Sequence, residues 1–215
     1  MELVILLFIS YLTGSIPMSI IISRIAKNID IREHGSGNAG ATNVYRVLGW
    51  KYALIVLVFD IFKAWIPTAI YATRIFDFTS ITDIGFVSIL CGFSAVFGHT
   101  YPIFSGFKGG KGVGSLIGVL LALFPIAFPL CLLVGIVIIT TTGYVSLASI
   151  FAAIALPIIV LILPALDIIY PELSLIVFSL LVPWFVIYTH RSNINRIRNG
   201  NENRFDKAII FKKRS

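Results

Sequence analysis

Long apolar runs constrain this chain more than any other feature of its sequence. A hydrocarbon core about 30 Å thick takes about 20 helical residues to cross, so runs of that length suit membrane-spanning helices. The chain is 58% hydrophobic and only 13% charged, and a soluble core of this size could not bury so many apolar side chains. The predicted fold class is therefore an all-α integral membrane protein. The runs cover residues 3–23, 50–73, 84–98, 113–142 and 147–190.

Two of these runs are too long for one membrane helix. The run 147–190 is broken by two prolines and two acidic residues between 164 and 172, so it divides into two spans. The run 113–142 would form a helix of about 45 Å, and Pro125 interrupts it because proline removes a helical hydrogen bond. It is either one kinked, tilted helix or a hairpin of two spans.

The distribution of Lys and Arg decides between these alternatives, because basic residues collect in cytoplasmic loops. With a hairpin, all of the 17 Lys and Arg except Lys63 and Arg74 lie on one face; with a single helix, the basic tail falls opposite the other basic loops. We therefore predict seven transmembrane helices in one domain, residues 1–215, with the N-terminus outside and the C-terminus cytoplasmic. The predicted spans are about 3–23, 50–73, 84–98, 113–124, 126–142, 147–165 and 172–190.

The net charge of +7 has the same explanation. In a soluble protein it would suggest nucleic acid, but here it reflects orientation in the membrane, so no nucleic-acid partner is expected. Cys91 and Cys131 lie in apolar runs without a CxxC neighbour, which argues against a disulfide framework or a metal site. The N-terminal run has no small-residue cleavage site and begins with Glu2, so it is interpreted as a retained span.

The first predicted cytoplasmic loop suits an anion. A GxGxxG pattern starts at Gly35, but the dinucleotide fingerprint needs a preceding strand and a βαβ unit, and here a membrane span precedes it. Glycines let backbone N–H groups approach an anion, and a helix N-terminus favours negative charge. The alternative is a flexible connector between spans. The candidate phosphate-binding residues in this segment are Gly37, Asn38, Thr42, Asn43 and Arg46.

The second loop contains Lys-Gly-Gly-Lys-Gly at residues 108–112. It is not a Walker A loop, because Ser105 occupies the place of the first glycine and Gly112 follows the lysine. Two ammonium groups still flank glycine amides, and a helix is expected directly after them. His99 is either a structural histidine or part of the same site. The phosphate-binding candidates here are Lys108, Gly109, Gly110 and Lys111.

A third polar segment follows the last span. If that helix continues, His190 and Asn193 are three residues apart and share a face. Snorkelling to the interface explains the neighbouring arginines but not these two side chains. The polar tail after about residue 198 is expected to be partly disordered.

Span two carries an ionisable pair, Asp60 and Lys63. Charged residues within a membrane are costly, and they usually pair with each other or face the protein interior. Three residues apart, the two lie on one helix face. They are either an internal pair that fixes packing or part of the site.

Together these segments resemble one family, the bacterial glycerol-3-phosphate acyltransferases that use acyl-phosphate as donor, often called PlsY. The resemblance rests on 35–46, 98–113 and 190–196, with weaker support from 60–63 and 144–149, and extends over essentially the whole chain. Two departures are Ala64, where a glycine often follows the intramembrane lysine, and Ser192, where the family often has glutamate. The second of these leaves open how the tail arginines are held.

The resemblance implies transfer of a fatty acyl group from acyl-phosphate to glycerol 3-phosphate. The products are 1-acyl-glycerol 3-phosphate (lysophosphatidic acid) and phosphate, in the first step of phospholipid synthesis. It also implies seven spans, no cofactor, an active site on the cytoplasmic face of the bacterial inner membrane, and a functional link to the enzyme that makes acyl-phosphate.

The candidate catalytic residues are Ser36, His99, His190 and Asn193. Ser36, His190 and Asn193 would orient the attacking hydroxyl or the developing oxyanion, and either His99 or the substrate's own phosphate would take the proton. A covalent route with Ser36 as acyl carrier is the competing mechanism.

Two other functions fit the same composition. A transporter for an anionic metabolite would use Asp60 and Lys63 near the midplane between inverted repeats, but the sequence has no evident repeats and its polar groups gather at one face. The other is a non-catalytic lipid-binding membrane protein.

Overall fold

The computed structural model describes residues 1–74 and 84–209, and every regular element in these ranges is helical. The predicted all-α class is thus confirmed for this part of the chain. A π-helical segment, Pro67–Tyr71, joins α4 to α5. The α-helices are α1 Glu2–Gly14, α2 Met18–Lys27, α3 Ala41–Leu48, α4 Trp50–Ile66, α5 Ala72–Arg74, α6 Ile84–Thr100, α7 Val113–Leu123, α8 Ala127–Thr142, α9 Val145–Ile162, α10 Leu173–Thr189 and α11 Arg191–Arg198.

Several of these helices are membrane-spanning candidates by length and composition. Among the described residues, four helical segments pass, and the count becomes five if α10 and α11, bent by 59°, form one span. The helices α7 and α8 are apolar but shorter, with 11 and 16 residues. The integral membrane character is therefore supported, while the count of seven stays a prediction. The four segments are Glu2–Lys27, Trp50–Arg74, Ile84–Ser105 and Val145–Leu166.

The break predicted within the run 113–142 is present. Helix α7 ends at Leu123 and α8 begins at Ala127. Pro125 lies between them, where its ring and its missing N–H cannot interrupt a helical hydrogen-bond ladder. The run is two helices and not one kinked helix.

The chain divides into two compact units, Met1–Phe124 and Pro125–Ser215, and each is described by itself. In the first, α1 packs along α6 and α4 along α7. Small residues permit this approach, as is usual between membrane helices: a Cβ added to Gly98 of α6 would overlap the Tyr11 carbonyl of α1, and one added to Gly118 of α7 would overlap the Ile61 carbonyl of α4.

In the second unit, α8 and α10 both pack against α9. Partial disorder was predicted for the tail after about residue 198, of which residues 210–215 lie outside the described residues. The described part of the tail returns to the turn between α8 and α9. Phe205 N donates to Gly143 O at 2.7 Å, and Arg204 Nε donates to Thr142 O at 2.9 Å. The Arg204 guanidinium also lies 5.6 Å from the centre of the Tyr144 ring. These contacts hold Arg204 and Phe205 of the tail against that turn.

Candidate active site

Asp60 and Lys63 form a buried ion pair on α4. Lys63 Nζ lies 2.8 Å from Asp60 Oδ1, and the two side chains are 5% and 4% exposed. Lys63 Nζ also donates to Ile16 O at 3.0 Å, at the break between α1 and α2. The pair therefore faces the protein interior, as the cost of a charge in lipid requires.

His99, in the last turn of α6, joins this pair. Its Nδ1 lies 3.4 Å from Asp60 Oδ1 and has no hydrogen-bond partner among the described residues. The second loop packs directly on the other side of the ring: a Cβ added to Gly110 would overlap His99 Nε2 and the Ala39 carbonyl. Only glycine lets the loop approach the imidazole this closely.

A small cleft in the first unit collects several of the predicted site residues. In this cleft His99 and the second loop lie next to the intramembrane pair, which is one of the alternatives that the sequence left open. Ser19 from α2 and Ala39 from the first loop also line it. The cleft is lined by Ser19, Ala39, Asp60, Lys63, His99 and Gly110, among others.

The amides of Gly109 and Gly110, which the sequence assigned to phosphate, make hydrogen bonds within the backbone of this structure. Gly109 N donates to Thr100 O and Gly110 N donates to His99 O, both at 3.2 Å. These bonds satisfy the two N–H groups within the backbone. The glycines instead allow close packing, while Lys108 is exposed and Lys111 is half-buried.

Asn43 shapes the first loop, although the sequence assigned it to phosphate. Its side chain is buried: Oδ1 accepts from Ser36 N at 2.8 Å, and Nδ2 donates to Ile31 O at 3.0 Å and to His34 O at 2.9 Å. With both amide hydrogens used, Asn43 has no donor left for a substrate. It acts on the site by holding the backbone of Ser36.

The remaining first-loop candidates lie around the start of α3. Gly37 has a φ of +72°, a conformation that favours glycine. Ser36 and Asn38 are half-buried in the loop itself. Thr42 and Arg46, also half-buried, are four residues apart in α3 and therefore on one face of that helix.

Arg32 connects the first loop to the second, a contact that the sequence did not indicate. Its Nε and Nη2 donate to the Asp30 carboxylate, with Nη2 at 2.6 Å, and its Nη1 donates to Ser105 O at 2.8 Å. The Arg32 guanidinium holds the pKa of Asp30 at about 2, so this carboxylate stays ionised at neutral pH. The opposite charges of Asp30 and Arg32, two residues apart, could have indicated their ion pair. Nothing in the sequence indicated the contact with Ser105.

The third segment belongs to the second unit, where the last span is followed by a bend. Helix α10 ends at Thr189, α11 begins at Arg191, and the two helices are bent by 59° relative to each other. His190 lies buried at this bend, with Nδ1 2.8 Å from Val186 O. Because a carbonyl oxygen only accepts, Nδ1 carries the hydrogen in the neutral ring and donates it to Val186 O.

Asn193 is held by Glu202, which the sequence did not place in any site. Asn193 Nδ2 donates to Glu202 Oε1 at 2.5 Å, Ser146 Oγ donates to the same oxygen at 2.9 Å, and Arg196 Nε donates to Oε2 at 2.7 Å. Burial raises the pKa of Glu202, but these three hydrogen bonds outweigh it and leave the pKa below its ordinary value. The family often has glutamate at the position of Ser192, which left open how the tail arginines are held. In this chain Glu202 holds Arg196.

No group of three or more His, Cys, Asp or Glu side chains that could hold a metal ion occurs within residues 1–74 and 84–209.

Known proteins resemble this chain over nearly its full length. A family model described as glycerol-3-phosphate acyltransferase matches residues 4–200. The glycerol-3-phosphate acyltransferase of Chlorobaculum parvum is 42% identical, over 96% of this chain and 96% of the relative. That of Chlorobaculum tepidum is 39% identical, over 93% and 94%.

Two solved structures are also similar. One is a crystal structure of PlsY, an integral membrane glycerol 3-phosphate acyltransferase, in its glycerol 3-phosphate form. It has a TM-score of 0.82 at 38% identity, over 99% of this chain and 100% of that chain. The lysophosphatidic acid form has a TM-score of 0.79 at 38% identity, over 95% of each chain.

Proposed function

Because this chain belongs to the glycerol-3-phosphate acyltransferase family, we propose that it transfers a fatty acyl group from acyl-phosphate to glycerol 3-phosphate. The products are lysophosphatidic acid and phosphate. The two similar crystal structures support the acceptor and the product, since one is a glycerol 3-phosphate form and the other a lysophosphatidic acid form. Acyl-phosphate as donor rests on the motif resemblance and on a basic site suited to two phosphate-bearing substrates.

The observation that carries this proposal is the meeting of the two loops in the first unit. Arg32 links the first loop to Ser105 of the second, and both loops reach the cleft beside His99. The loops contribute Arg46, Lys108 and Lys111, which offer charge-assisted hydrogen bonds to phosphate. A phosphate-bearing substrate suits such a site.

Phosphate capture is assigned to Arg46, Lys108 and Lys111. Gly37, Asn38 and Thr42 complete the first-loop side. In the second loop the amides of residues 109 and 110 already donate hydrogen bonds to the backbone. Phosphate binding by this loop is therefore assigned to the two lysines and to the start of α7, where backbone N–H groups have no intrahelical partner.

The reaction proceeds by direct transfer in this proposal. A hydroxyl oxygen of glycerol 3-phosphate attacks the carbonyl carbon of acyl-phosphate, a C–O bond to that carbon forms, and the bond from the carbon to the phosphate oxygen breaks. The hydroxyl proton passes to a base, and phosphate leaves with the bonding electron pair. Since acyl-phosphate is already activated, positioning and charge stabilisation supply most of the rate.

Ser36, held by Asn43 through its backbone N–H, is proposed to orient the hydroxyl or the developing oxyanion. His190 and Asn193 are assigned to the same step on the motif resemblance. The base is proposed to be His99 or the substrate's own phosphate. His99 lies beside Asp60 and Gly110 at the cleft of the first unit.

The protein is further proposed to be one acyltransferase domain with seven spans, N-terminus outside and C-terminus cytoplasmic. The active site then lies on the cytoplasmic face of the bacterial inner membrane. The charge distribution and the helix break around Pro125 support this topology.

The test is a product assay with purified protein in detergent. Acyl-phosphate and glycerol 3-phosphate are supplied together, and lysophosphatidic acid is measured by mass spectrometry. Parallel reactions replace acyl-phosphate with acyl-CoA or acyl-acyl-carrier protein. Product from acyl-phosphate alone is the expected result. Product only from one of the other donors would refute the donor assignment, and no product from any donor would refute the activity.

A further inference from the structure

The second loop is closed at its base by its own backbone. Besides the bonds of Gly109 and Gly110 to the end of α6, Phe107 N donates to Pro102 O at 2.9 Å and Ser105 N donates to the same carbonyl at 3.2 Å. These bonds shape the loop, but they run within residues 99–110. They do not determine where its tip lies relative to the first loop.

Arg32 supplies that missing constraint. Its guanidinium donates hydrogen bonds from Nε and Nη2 to the Asp30 carboxylate. These two bonds fix the plane of the guanidinium and direct Nη1 toward Ser105 O. The backbone adds to this grip, because Arg32 N donates to Asp30 Oδ1 at 3.0 Å. The contacted carbonyl is three residues before Lys108.

We propose that Arg32 is a positioning residue, which sets the second loop against the first so that Lys108 and Lys111 meet the substrate phosphate. The inference rests on the proposed function for its catalytic consequence. We assign Arg32 to positioning and not to phosphate binding, because Asp30 neutralises its charge and each of its three guanidinium nitrogens already donates a hydrogen bond within the protein. Asn43 has a corresponding positioning role within the first loop, because its side chain makes hydrogen bonds to three backbone groups of that loop.

Arg24 provides a matched control. It lies 3.9 Å from the same Asp30 carboxylate, but its side chain is 65% exposed. Removing Arg24 removes a nearby positive charge from Asp30 and leaves the Arg32 contact to Ser105 O in place. A difference between the two variants therefore reports the inter-loop contact and not the local charge.

The first measurement is limited trypsin cleavage after Lys108 and Lys111 in detergent, which requires no enzymatic activity. Arg32→Ala should raise the cleavage rate at these lysines at least fivefold, and Arg24→Ala should leave it within twofold of wild type. Arg32→Lys should resemble Arg32→Ala, because one ammonium group cannot hold the carboxylate and reach the carbonyl with fixed geometry. Unchanged cleavage in a folded Arg32→Ala protein would overturn the proposal.

The second measurement is steady-state kinetics with acyl-phosphate and glycerol 3-phosphate. Arg32→Ala should lower kcat/KM at least tenfold, mainly through KM, and millimolar guanidinium should restore part of it. If Arg32→Ala fails to fold, Asp30→Asn takes its place, with the same direction expected for cleavage and kinetics. A loss of kcat/KM without faster cleavage would make Arg32 a ligand and overturn the positioning role. A wild-type protein that makes no product, yet shows the predicted cleavage pattern, refutes the proposed function and not the inter-loop contact.

Discussion

Lys63 and Asp60 hold each other inside the first unit, with Nζ 2.8 Å from Oδ1 and almost no exposure of either side chain. Each member of the pair also contacts another part of the first unit. Ile16 O accepts a hydrogen bond from Lys63, and His99 Nδ1 approaches Asp60. The pair therefore touches the α1–α2 break on one side and the end of α6 on the other, next to the second loop.

Asp60→Asn should destabilise the protein strongly, because it leaves the Lys63 ammonium group buried without a counter-charge. Breaking a buried pair in this way costs about 3–5 kcal/mol, and thermal unfolding in detergent would show it. The double variant Asp60→Asn/Lys63→Met should recover part of the loss, since no charge remains to be buried. Recovered stability with recovered activity would make the pair purely structural, whereas recovered stability without activity would place it in the site.

Lys111→Ala should lower kcat/KM about 10- to 150-fold, because a charge-assisted hydrogen bond to phosphate contributes about 1.5–3 kcal/mol. The matched control is Lys51→Ala, which removes an exposed lysine from the first turn of α4 and should leave the kinetics near wild type. Near-wild-type kinetics in a folded Lys111→Ala protein would exclude Lys111 from phosphate capture.

No acyl group should remain on Ser36 after incubation with labelled acyl-phosphate alone, because direct transfer needs no acyl-enzyme. The protein is denatured, digested, and the label is located by mass spectrometry, with Ser36→Ala as the blank. Stoichiometric label on Ser36 would establish the covalent route. Reduced activity of Ser36→Ala is expected under both routes, so it does not distinguish them.

Glu202→Gln should loosen the tail at neutral pH, and its effect should diminish as the solution is acidified. The pKa of Glu202 in the folded protein lies below its ordinary value of 4.5, so its stabilising contribution is present above that value and is lost as the pH falls through the folded pKa. The Tm difference between wild type and Glu202→Gln should therefore shrink below about pH 4.5. Asp206→Asn is the control, because that side chain is 63% exposed and should show no comparable Tm difference at either pH. A Tm difference that does not shrink as the pH falls below about 4.5 would contradict the role of the ionised carboxylate.

Labelling of cysteines introduced one at a time at exposed positions should report the predicted topology. Both native cysteines are buried, which keeps background labelling low. A membrane-impermeant maleimide applied to intact spheroplasts should label Tyr170→Cys, an exposed position between α9 and α10. Asn201→Cys, an exposed position in the tail, should react only after permeabilisation. Labelling of Asn201→Cys in intact cells would refute the cytoplasmic C-terminus.

The helices and the lipid environment were predictable because their signals are local. A run of apolar residues forms a membrane helix whatever it packs against, and Pro125 ends a helix through its own ring and missing N–H. The basic, glycine-rich segments were visible for the same reason, since residue type and spacing are properties of a short stretch of chain.

The sequence by itself determined that this chain is helical, that it belongs in lipid, and which segments are basic, polar and rich in glycine. Only the tertiary structure decided which groups in those segments have partners. Asn43 and the amide of Gly110 looked available in the sequence, but Asn43 is bonded within its loop and Gly110 N to the end of α6. Arg32 and Glu202 looked ordinary, but each contacts a residue more than 50 positions away, Ser105 and Ser146. A hydrogen bond depends on distance and direction between two atoms, and contacts so remote in the chain are set by how the helices pack.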